Sequence, residues 1–255
     1  MPPRALGRLH PDDLIRYSRR LNGKDLYITS NPGAARHILT GRYPTRVLCV
    51  ATMKSPDSDG LPMDSEAVAL NESEEQLLGS FAGTTNQLLN AGRLTFDGYR
   101  VLVFHSELQQ PVGPGPSLTL HTAQYAWHTY YEQDPESIFV QAIMVPTPME
   151  ARRAYDRRQI LHLEEADDDT AIPRTINFHA SFPSPADMAA AVAILNDSKF
   201  KCEPPTMQRD RTWTFAFSYD ASADPETIEK LTCYAQAVCN QCLGTYEGWE
   251  CSTTK

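Results

Sequence analysis

Two stretches near the end of the chain alternate between apolar and polar residues so regularly that a one-sided β-sheet is the simplest structure that satisfies them. Their apolar members are Ile176, Phe178, Ala180 and Phe182 in the first stretch, and Trp213, Phe215, Phe217 and Tyr219 in the second. The residues between them are polar or small. Because successive side chains of a strand point to opposite faces, each stretch is predicted to bury one face and leave the other wet.

Each of these strands is followed by a helix whose start is marked by a capping residue and a proline, at Ser184-Pro185 and at Asp224-Pro225. A short strand near Phe200 and a last strand from Thr245 complete the order β-α-β-β-α-β. We therefore predict that residues 174–255 form an α+β domain of the ferredoxin-like sandwich type, with both helices on one sheet face. The strand aromatics would lie under those helices, which argues against stacking on RNA bases.

Residues 46–166 are predicted to form a second α+β domain, built on an antiparallel sheet and related in topology to the first. Arg46–Met53 is apolar at almost every position and indicates a central strand, and Asp97-Gly98 indicates a hairpin turn. Ser73 with Gln76, and Thr147 with Glu150, each form the capping box of a helix start. The second of these helices is expected to run to about Glu165, and the acidic residues 164–169 are interpreted as a solvated linker.

Residues 1–45 are interpreted as a basic accessory segment that either covers the next domain or contacts nucleic acid. Pro11 to Arg20 is predicted to form a short helix, and Asn31-Pro32 is expected to open another.

The charge of the chain is divided unevenly between this segment and the rest. Residues 1–46 carry nine Lys/Arg against three Asp/Glu, a balance of +6, whereas the remaining residues carry 14 against 29, a balance of −15. An acidic body repels phosphate backbones, so we expect a basic protein as partner and no direct binding of nucleic acid. No apolar run is long enough to cross a membrane and no signal peptide is recognisable, which predicts a cytoplasmic protein.

Cys239 and Cys242 form the one motif with apparent chemical meaning, a C-x-x-C. A reactive thiol pair of this spacing gains acidity at a helix N-terminus, whereas this pair is predicted to lie in the last turns of a helix. Buried thiols are the simpler interpretation, and a thiol or metal protein is the alternative. No metal site, cofactor or catalytic residue is assigned, although an enzyme with its site near His105, Trp127 or the loop at Asp57 stays a third hypothesis.

Arg174 to Glu250 resembles the RraB family, the regulators of ribonuclease E activity. Three features carry the resemblance: Phe182 at the end of the first strand, the helix start Ser184–Asp187, and the closing segment Tyr246-Glu247-Gly248-Trp249-Glu250. The family commonly has Asp in place of Glu247. The resemblance implies a non-enzymatic protein that binds a ribonuclease and inhibits or redirects it. The candidate protein-binding residues are Tyr246, Glu247, Trp249 and Glu250.

Arg46 to about Glu165 resembles the family called domain of unknown function 695. The residues that carry the resemblance are Val47–Met53, Gly98-Tyr99-Arg100, Asp134-Pro135-Glu136 and Tyr155–Glu165. This resemblance implies a domain joined ahead of an RraB-like domain, and it implies no function.

Overall fold

The computed structural model describes residues 14–81, 88–108, 118–208 and 212–254. The chain divides into two compact units, residues 1–151 and 152–255, which we call the upstream and downstream units. Both are mixed helix and antiparallel sheet, so the predicted α+β class is confirmed. Within the described residues, no helix combines the length and the apolar character needed to span a membrane.

The upstream unit is built on one antiparallel sheet of seven strands in the order β1-β2-β4-β5-β3-β7-β6. Its strands are β1 (Ile15–Leu21), β2 (Lys24–Ser30), β3 (Thr45–Thr52), β4 (Leu88–Phe96), β5 (Tyr99–Ser106), β6 (Leu118–His121) and β7 (Ala126–Gln133). Its helices are α1 (Pro32–His37) and α2 (Asp64–Phe81), with π-helical turns at Ile38–Arg42 and Val140–Met144.

Apolar side chains cover both faces of this sheet. One core contains Leu70 and Leu77 of α2 together with the fully buried Trp127 of β7. The other contains Ile28 of β2 and Met144 of the second π-helical turn. The interior strand β3 contributes to both cores, which explains why Arg46–Met53 is apolar at almost every position.

The helix predicted between Pro11 and Arg20 is wrong over its described part, because Ile15–Leu21 is the strand β1. Asn22 and Gly23 have φ angles of 52° and 81°, as a two-residue hairpin turn requires, and they join β1 to β2. Tyr17 donates a hydrogen bond of 2.8 Å to the carbonyl oxygen of Ile143. The described part of the proposed accessory segment is therefore integrated into the upstream sheet.

The helix predicted to begin at Ser73 begins nine residues earlier, at Asp64. Ser73 is buried inside α2, where its hydroxyl accepts a hydrogen bond of 2.9 Å from Trp127 Nε1 and bonds to Thr122 Oγ1 at 2.6 Å. The capping-box prediction was wrong here because Ser73 bonds to the buried indole of Trp127 and to the Thr122 hydroxyl, and it does not cap the first turn of a helix.

Several local predictions for the upstream unit are confirmed. Asn31 caps α1 by accepting a hydrogen bond from the Ala34 backbone N–H at 3.1 Å. β3 lies inside the sheet, and β4 and β5 form the hairpin at Asp97-Gly98. Thr147 and Glu150 exchange the two capping-box hydrogen bonds at the start of helix α3 (Pro148–Glu165).

The downstream unit contains a second antiparallel sheet in the order β10-β11-β8-β12, with β9 paired to β11. Its strands are β8 (Arg174–Phe182), β9 (Lys201–Cys202), β10 (Thr206–Met207), β11 (Trp213–Ala221) and β12 (Thr245–Cys251). Its helices after α3 are α4 (Pro185–Asp197) and α5 (Pro225–Gln241), capped by Ser184 and Asp224 as predicted. The ferredoxin-like assignment stays a prediction, and the upstream sheet has a different strand order.

The core of the downstream unit is made of the aromatic side chains that the alternation placed on one sheet face. Phe178 stacks on Phe217 at 5.3 Å between ring centroids, and Phe182 stacks on Phe215 at 5.7 Å. All four are at most 4% exposed. The prediction that these rings are occupied by the core, and not presented to solvent, is confirmed for them.

The first compact unit ends at residue 151, which is before the domain boundary that we predicted between residues 166 and 174. α3 places Ile160 and Leu163 in the downstream core. In the acidic run, Asp168 is buried, pairs with Arg174 at 2.7 Å and accepts a hydrogen bond of 2.6 Å from the Thr254 backbone N–H. The interpretation of this run as a solvated linker is therefore wrong for Asp168, which holds the chain end against β8.

Candidate protein-binding surface

The segment Tyr246–Glu250 lies on the edge strand β12 and contains a β-bulge. Tyr246 pairs with Ala180 and Gly248 pairs with His179, so Glu247 is the additional residue. Gly248 has a φ of 138°, a conformation that favours glycine, and an ideal Cβ there would lie 3.3 Å from the Tyr155 hydroxyl. The bulge therefore sets which side chains of the segment turn inward and which turn outward.

Trp249 turns inward and is 3% exposed. Its indole N–H donates a hydrogen bond of 2.9 Å to Asp156 Oδ1, and the other carboxylate oxygen accepts one of 2.7 Å from Thr232 Oγ1 on α5. Burial raises the pKa of Asp156 above its usual range, in opposition to these two hydrogen bonds. Trp249 thus connects β12, α3 and α5, and its place is structural.

Tyr246 also lies on the core side of β12, where it packs at the edge of the apolar cluster. Its hydroxyl group is buried and has no hydrogen-bond partner among the residues that the structure describes. Burial is the main cause that raises the pKa of this phenol above its ordinary value. The un-ionised Tyr246 side chain therefore supports β12 from the core side, and it presents little surface area to a partner.

Glu247 and Glu250 are the two members of the segment that are exposed to solvent. Glu250 Oε1 lies 3.4 Å from His179 Nε2 across the β8–β12 pair, and their side chains are 70% and 43% exposed. Of the four candidate binding residues, the structure therefore brings two carboxylates to the surface and encloses most of the two aromatic side chains.

Around Glu250 the sheet face opposite α4 and α5 carries small polar side chains. Asn177 pairs with Ser218 on one side and with Glu250 on the other, and His179 pairs with Ala216 and Gly248. Because registered neighbours share a face, these residues form one continuous face of small and polar residues. β8 and β11 contribute no Phe, Tyr or Trp ring to it, and His179 is the aromatic side chain that β8 contributes.

Cys239 and Cys242 lie at the end of α5 and are 0% and 7% exposed. Burial, followed by the neighbouring Cys242, raises the pKa of the Cys239 thiol to about 12, and burial also raises the pKa of Cys242. In the described part of the chain, no cluster of three or more His, Cys, Asp or Glu side chains is arranged to hold a metal ion. The geometry favours packed, protonated thiols.

We expect Cys239 to be alkylated at least ~100-fold more slowly than Cys233 at pH 8, because the thiolate is the reacting species and Cys233 is partly exposed. Peptide-resolved mass spectrometry of a time course with iodoacetamide measures both rates in one sample. In 6 M urea, the two rates should become similar. Equal rates in the native protein, or stoichiometric zinc that protects both Cys239 and Cys242, would contradict this expectation.

The upstream residues considered for an enzyme site each have a structural role. His105 is fully buried, its Nδ1 lies 3.0 Å from the Tyr43 carbonyl oxygen, and burial lowers its pKa. Trp127 is fully buried and bonds to Ser73. Asp57 Oδ1 accepts hydrogen bonds from the backbone N–H groups of Asp59 and Leu61, at 2.9 and 2.8 Å, as in a closed turn.

Sequence reasoning did not identify Asp156, Thr232 or Tyr155 as supports of the closing segment. A signal was present for Asp156, because it shares one side of α3 with Ile160 and Leu163, and an acidic residue on an apolar stripe indicates a buried partner. The identity of that partner could not be predicted from the local sequence, because Trp249 is 93 residues away in the chain.

Comparison with known families matches both units separately. Residues 153–251 match the family model described as Regulator of ribonuclease activity B, and residues 15–138 match the model described as Family of unknown function (DUF695). Each match covers less than half of the 255 residues. The order of the two matches confirms the resemblances inferred from the sequence. No curated protein matches the chain.

Proposed function

We propose, on the premise that residues 153–251 match the family of regulators of ribonuclease activity B, that this chain regulates a ribonuclease by binding to it. That match is the observation that carries the proposal. It begins inside α3 and ends at Cys251, so it includes both Asp156 and the strand that Asp156 supports. The proposal includes that the protein is cytoplasmic and that it acts by binding the ribonuclease rather than by catalysing a reaction.

The charge of the downstream unit supports a basic partner. Residues 152–255 contain eleven Lys/Arg and sixteen Asp/Glu, a balance of −5. Ribonucleases carry basic surfaces because they hold RNA through its phosphates, and such surfaces are attracted to an acidic protein. Glu247 and Glu250 would contribute carboxylates to this contact, and the small side chains beside them leave room for close approach.

A thiol or metal function is less well supported. Burial keeps Cys239 and Cys242 protonated, and a thiol must lose its proton to attack a disulfide or to bind a metal ion. No specific observation on the described residues of the upstream unit favours an enzymatic function.

The proposal predicts a salt-sensitive complex between the full chain and a ribonuclease of the ribonuclease E type. We expect binding in 50 mM salt and at least ~10-fold weaker binding in 500 mM salt, because attraction between charged surfaces is screened. The chain should also slow or redirect cleavage of a defined RNA by the enzyme. Biolayer interferometry and a gel-based decay assay measure the two effects.

A pair of matched variants separates charge from shape at the proposed contact. Glu247→Lys/Glu250→Lys reverses both exposed carboxylates, whereas Glu247→Gln/Glu250→Gln removes the charges at nearly constant size. We expect the lysine variant to weaken binding more than the glutamine variant. If the unaltered chain retains no ribonuclease at 50 mM salt and leaves RNA decay unchanged, the proposed function is refuted.

A further inference from the structure

His105, near the end of β5, is fully buried beside Leu89 of β4. Its Nδ1 lies 3.0 Å from the Tyr43 carbonyl oxygen, which can only accept a hydrogen bond, so Nδ1 carries the proton of the neutral ring. Nε2 is then unprotonated, and among the residues that the structure describes it has no hydrogen-bond partner. A buried nitrogen without a partner is unusual, and this one faces the Asp134 carboxylate at 3.9 Å.

The same carboxylate holds the chain that follows β7, residues 134–144. Asp134 Oδ1 accepts a hydrogen bond of 2.8 Å from the Ile138 backbone N–H, and Oδ2 accepts a longer one of 3.3 Å from the Phe139 backbone N–H. This 134–144 segment ends in the π-helical turn whose Val140 and Met144 side chains are fully buried. One carboxylate oxygen, Oδ2, therefore both holds the segment and faces His105.

Two charged side chains act on His105 in opposite directions. Asp134 favours its protonation, whereas Arg46, its registered neighbour on β3, opposes it. The guanidinium of Arg46 is held in place, because it is ion-paired with Glu132 of β7 and lies 4.3 Å from the centroid of the Phe139 ring. Its Nη1 lies 3.6 Å from Asp134 Oδ2. Burial is the main cause that lowers the pKa of His105 below its ordinary value.

We propose that His105 and Asp134 form a pH-sensitive switch that loosens the 134–144 segment in acid. When His105 takes a proton from solvent, Nε2 becomes the donor of a charge-assisted hydrogen bond, whose usual length is about 2.7–2.9 Å. Closing the 3.9 Å distance to Asp134 Oδ2 draws that oxygen away from the Phe139 N–H, whose hydrogen bond is already long. The segment then loosens, because a buried N–H without a partner is unfavourable. This inference does not depend on the proposed binding of a ribonuclease.

The direction of the pH effect follows from the two states of the segment. The closed state binds the proton of His105 weakly, because its pKa there is lowered. The loosened state admits water to the ring and lets the imidazolium pair with Asp134, so the pKa there is at least the ordinary value of about 6.5. Closure is therefore fully favoured above about pH 6.5, and its equilibrium constant falls by up to ~10-fold for each pH unit below that value.

The first test is hydrogen exchange of the full chain between pH 7.5 and 5.5, with exchange times scaled to the intrinsic rate at each pH. We expect the opening constant of the 134–144 amides to rise ~10-fold from pH 6.5 to 5.5, and to exceed that of the β3 amides at least ~10-fold at pH 5.5. His105→Asn places an amide N–H near the position of Nδ1–H and does not titrate, so it should abolish the rise. The matched control His121→Asn removes an exposed histidine of the same unit and should keep it.

The second test follows the ring resonances of the seven histidines by NMR in the unaltered chain, so it does not depend on the folding of His105→Asn. One histidine should titrate below the others, over the pH range in which the segment loosens. Asp134→Asn keeps an acceptor for the Ile138 N–H but removes the charge that favours the imidazolium, so it should move that titration at least ~0.5 pH unit lower.

Three results would overturn the switch. The first is a rise in exchange that persists in His105→Asn, and the second is a low titration that Asp134→Asn leaves in place. The third is an equal opening constant for the 134–144 amides and the β3 amides at pH 5.5, since acid would then unfold the whole unit rather than loosen this segment. None of these results bears on the binding of a ribonuclease.

Discussion

Replacing Trp249 by alanine is expected to lower the free energy of unfolding of the downstream unit by about 3–5 kcal/mol. The indole is 3% exposed and packs in the core beneath α5, so its removal leaves a large cavity. It also removes one of the two hydrogen bonds to the buried carboxylate of Asp156. Hydrogen exchange of peptides from residues 174–251, measured in the full chain, reports the change locally.

Two controls separate burial from the hydrogen bond. Trp249→Phe keeps an aromatic ring but leaves Asp156 one donor short, and about 1–3 kcal/mol is expected. Trp213→Ala removes a tryptophan from the same sheet at a half-buried position, so its effect should be clearly smaller than that of Trp249→Ala. Equal destabilisation by the two alanine variants would show that Trp249 is not the anchor inferred from its contacts.

Replacing Gly92 by alanine is expected to destabilise the upstream unit by at least ~3 kcal/mol. Gly92 has a φ of 134°, and an added Cβ would lie 2.0 Å from the Thr29 carbonyl oxygen and 2.8 Å from Met144 Cε. The Thr29 carbonyl belongs to the backbone of β2, which is paired with β1 on one side and β4 on the other, so it cannot shift without disturbing the sheet. Exchange of the amides paired between β2 and β4, together with the denaturant midpoint, measures the loss.

Gly79 provides the matched control for this substitution. It lies within α2, and an added Cβ would meet no atom within 4 Å. Gly79→Ala should therefore stabilise the unit by about 0.5–1 kcal/mol, because alanine loses less backbone freedom in a helix. A Gly92→Ala protein with the midpoint of the unaltered chain would show that β2 and β4 are less tightly fitted than the distances imply.

The downstream unit was predictable because its signals are local. The alternation around Phe178 and Phe217, and the capping residues Ser184 and Asp224, each act over a few residues and agree with the tertiary packing. In the upstream unit, the start of α2 was misplaced because Ser73 serves a tertiary contact with Trp127. The strand β1 was missed because the proline and the acids before it were given more weight than the turn at Asn22-Gly23.

The site was predictable only in part. The sequence identified the closing segment as a candidate. It did not predict that Trp249 would be buried and bonded to Asp156, which is 93 positions away in the chain. The buried stripe of α5 followed from its apolar spacing, and the exposed stripe is simply its complement. Tyr234 on the exposed side of α5 stacks on Phe200, which comes from the loop after α4, and no local sequence pattern predicts that contact.

The bulge at Gly248 has a consequence for self-association. β12 ends its sheet, and a regular edge strand is a template on which another chain can add a strand and start aggregation. Here the bulge interrupts the register, and the Tyr155 hydroxyl donates a hydrogen bond of 3.5 Å to the Trp249 carbonyl oxygen. The irregular edge therefore disfavours the addition of a strand from another chain, and a partner protein would be recognised through side chains.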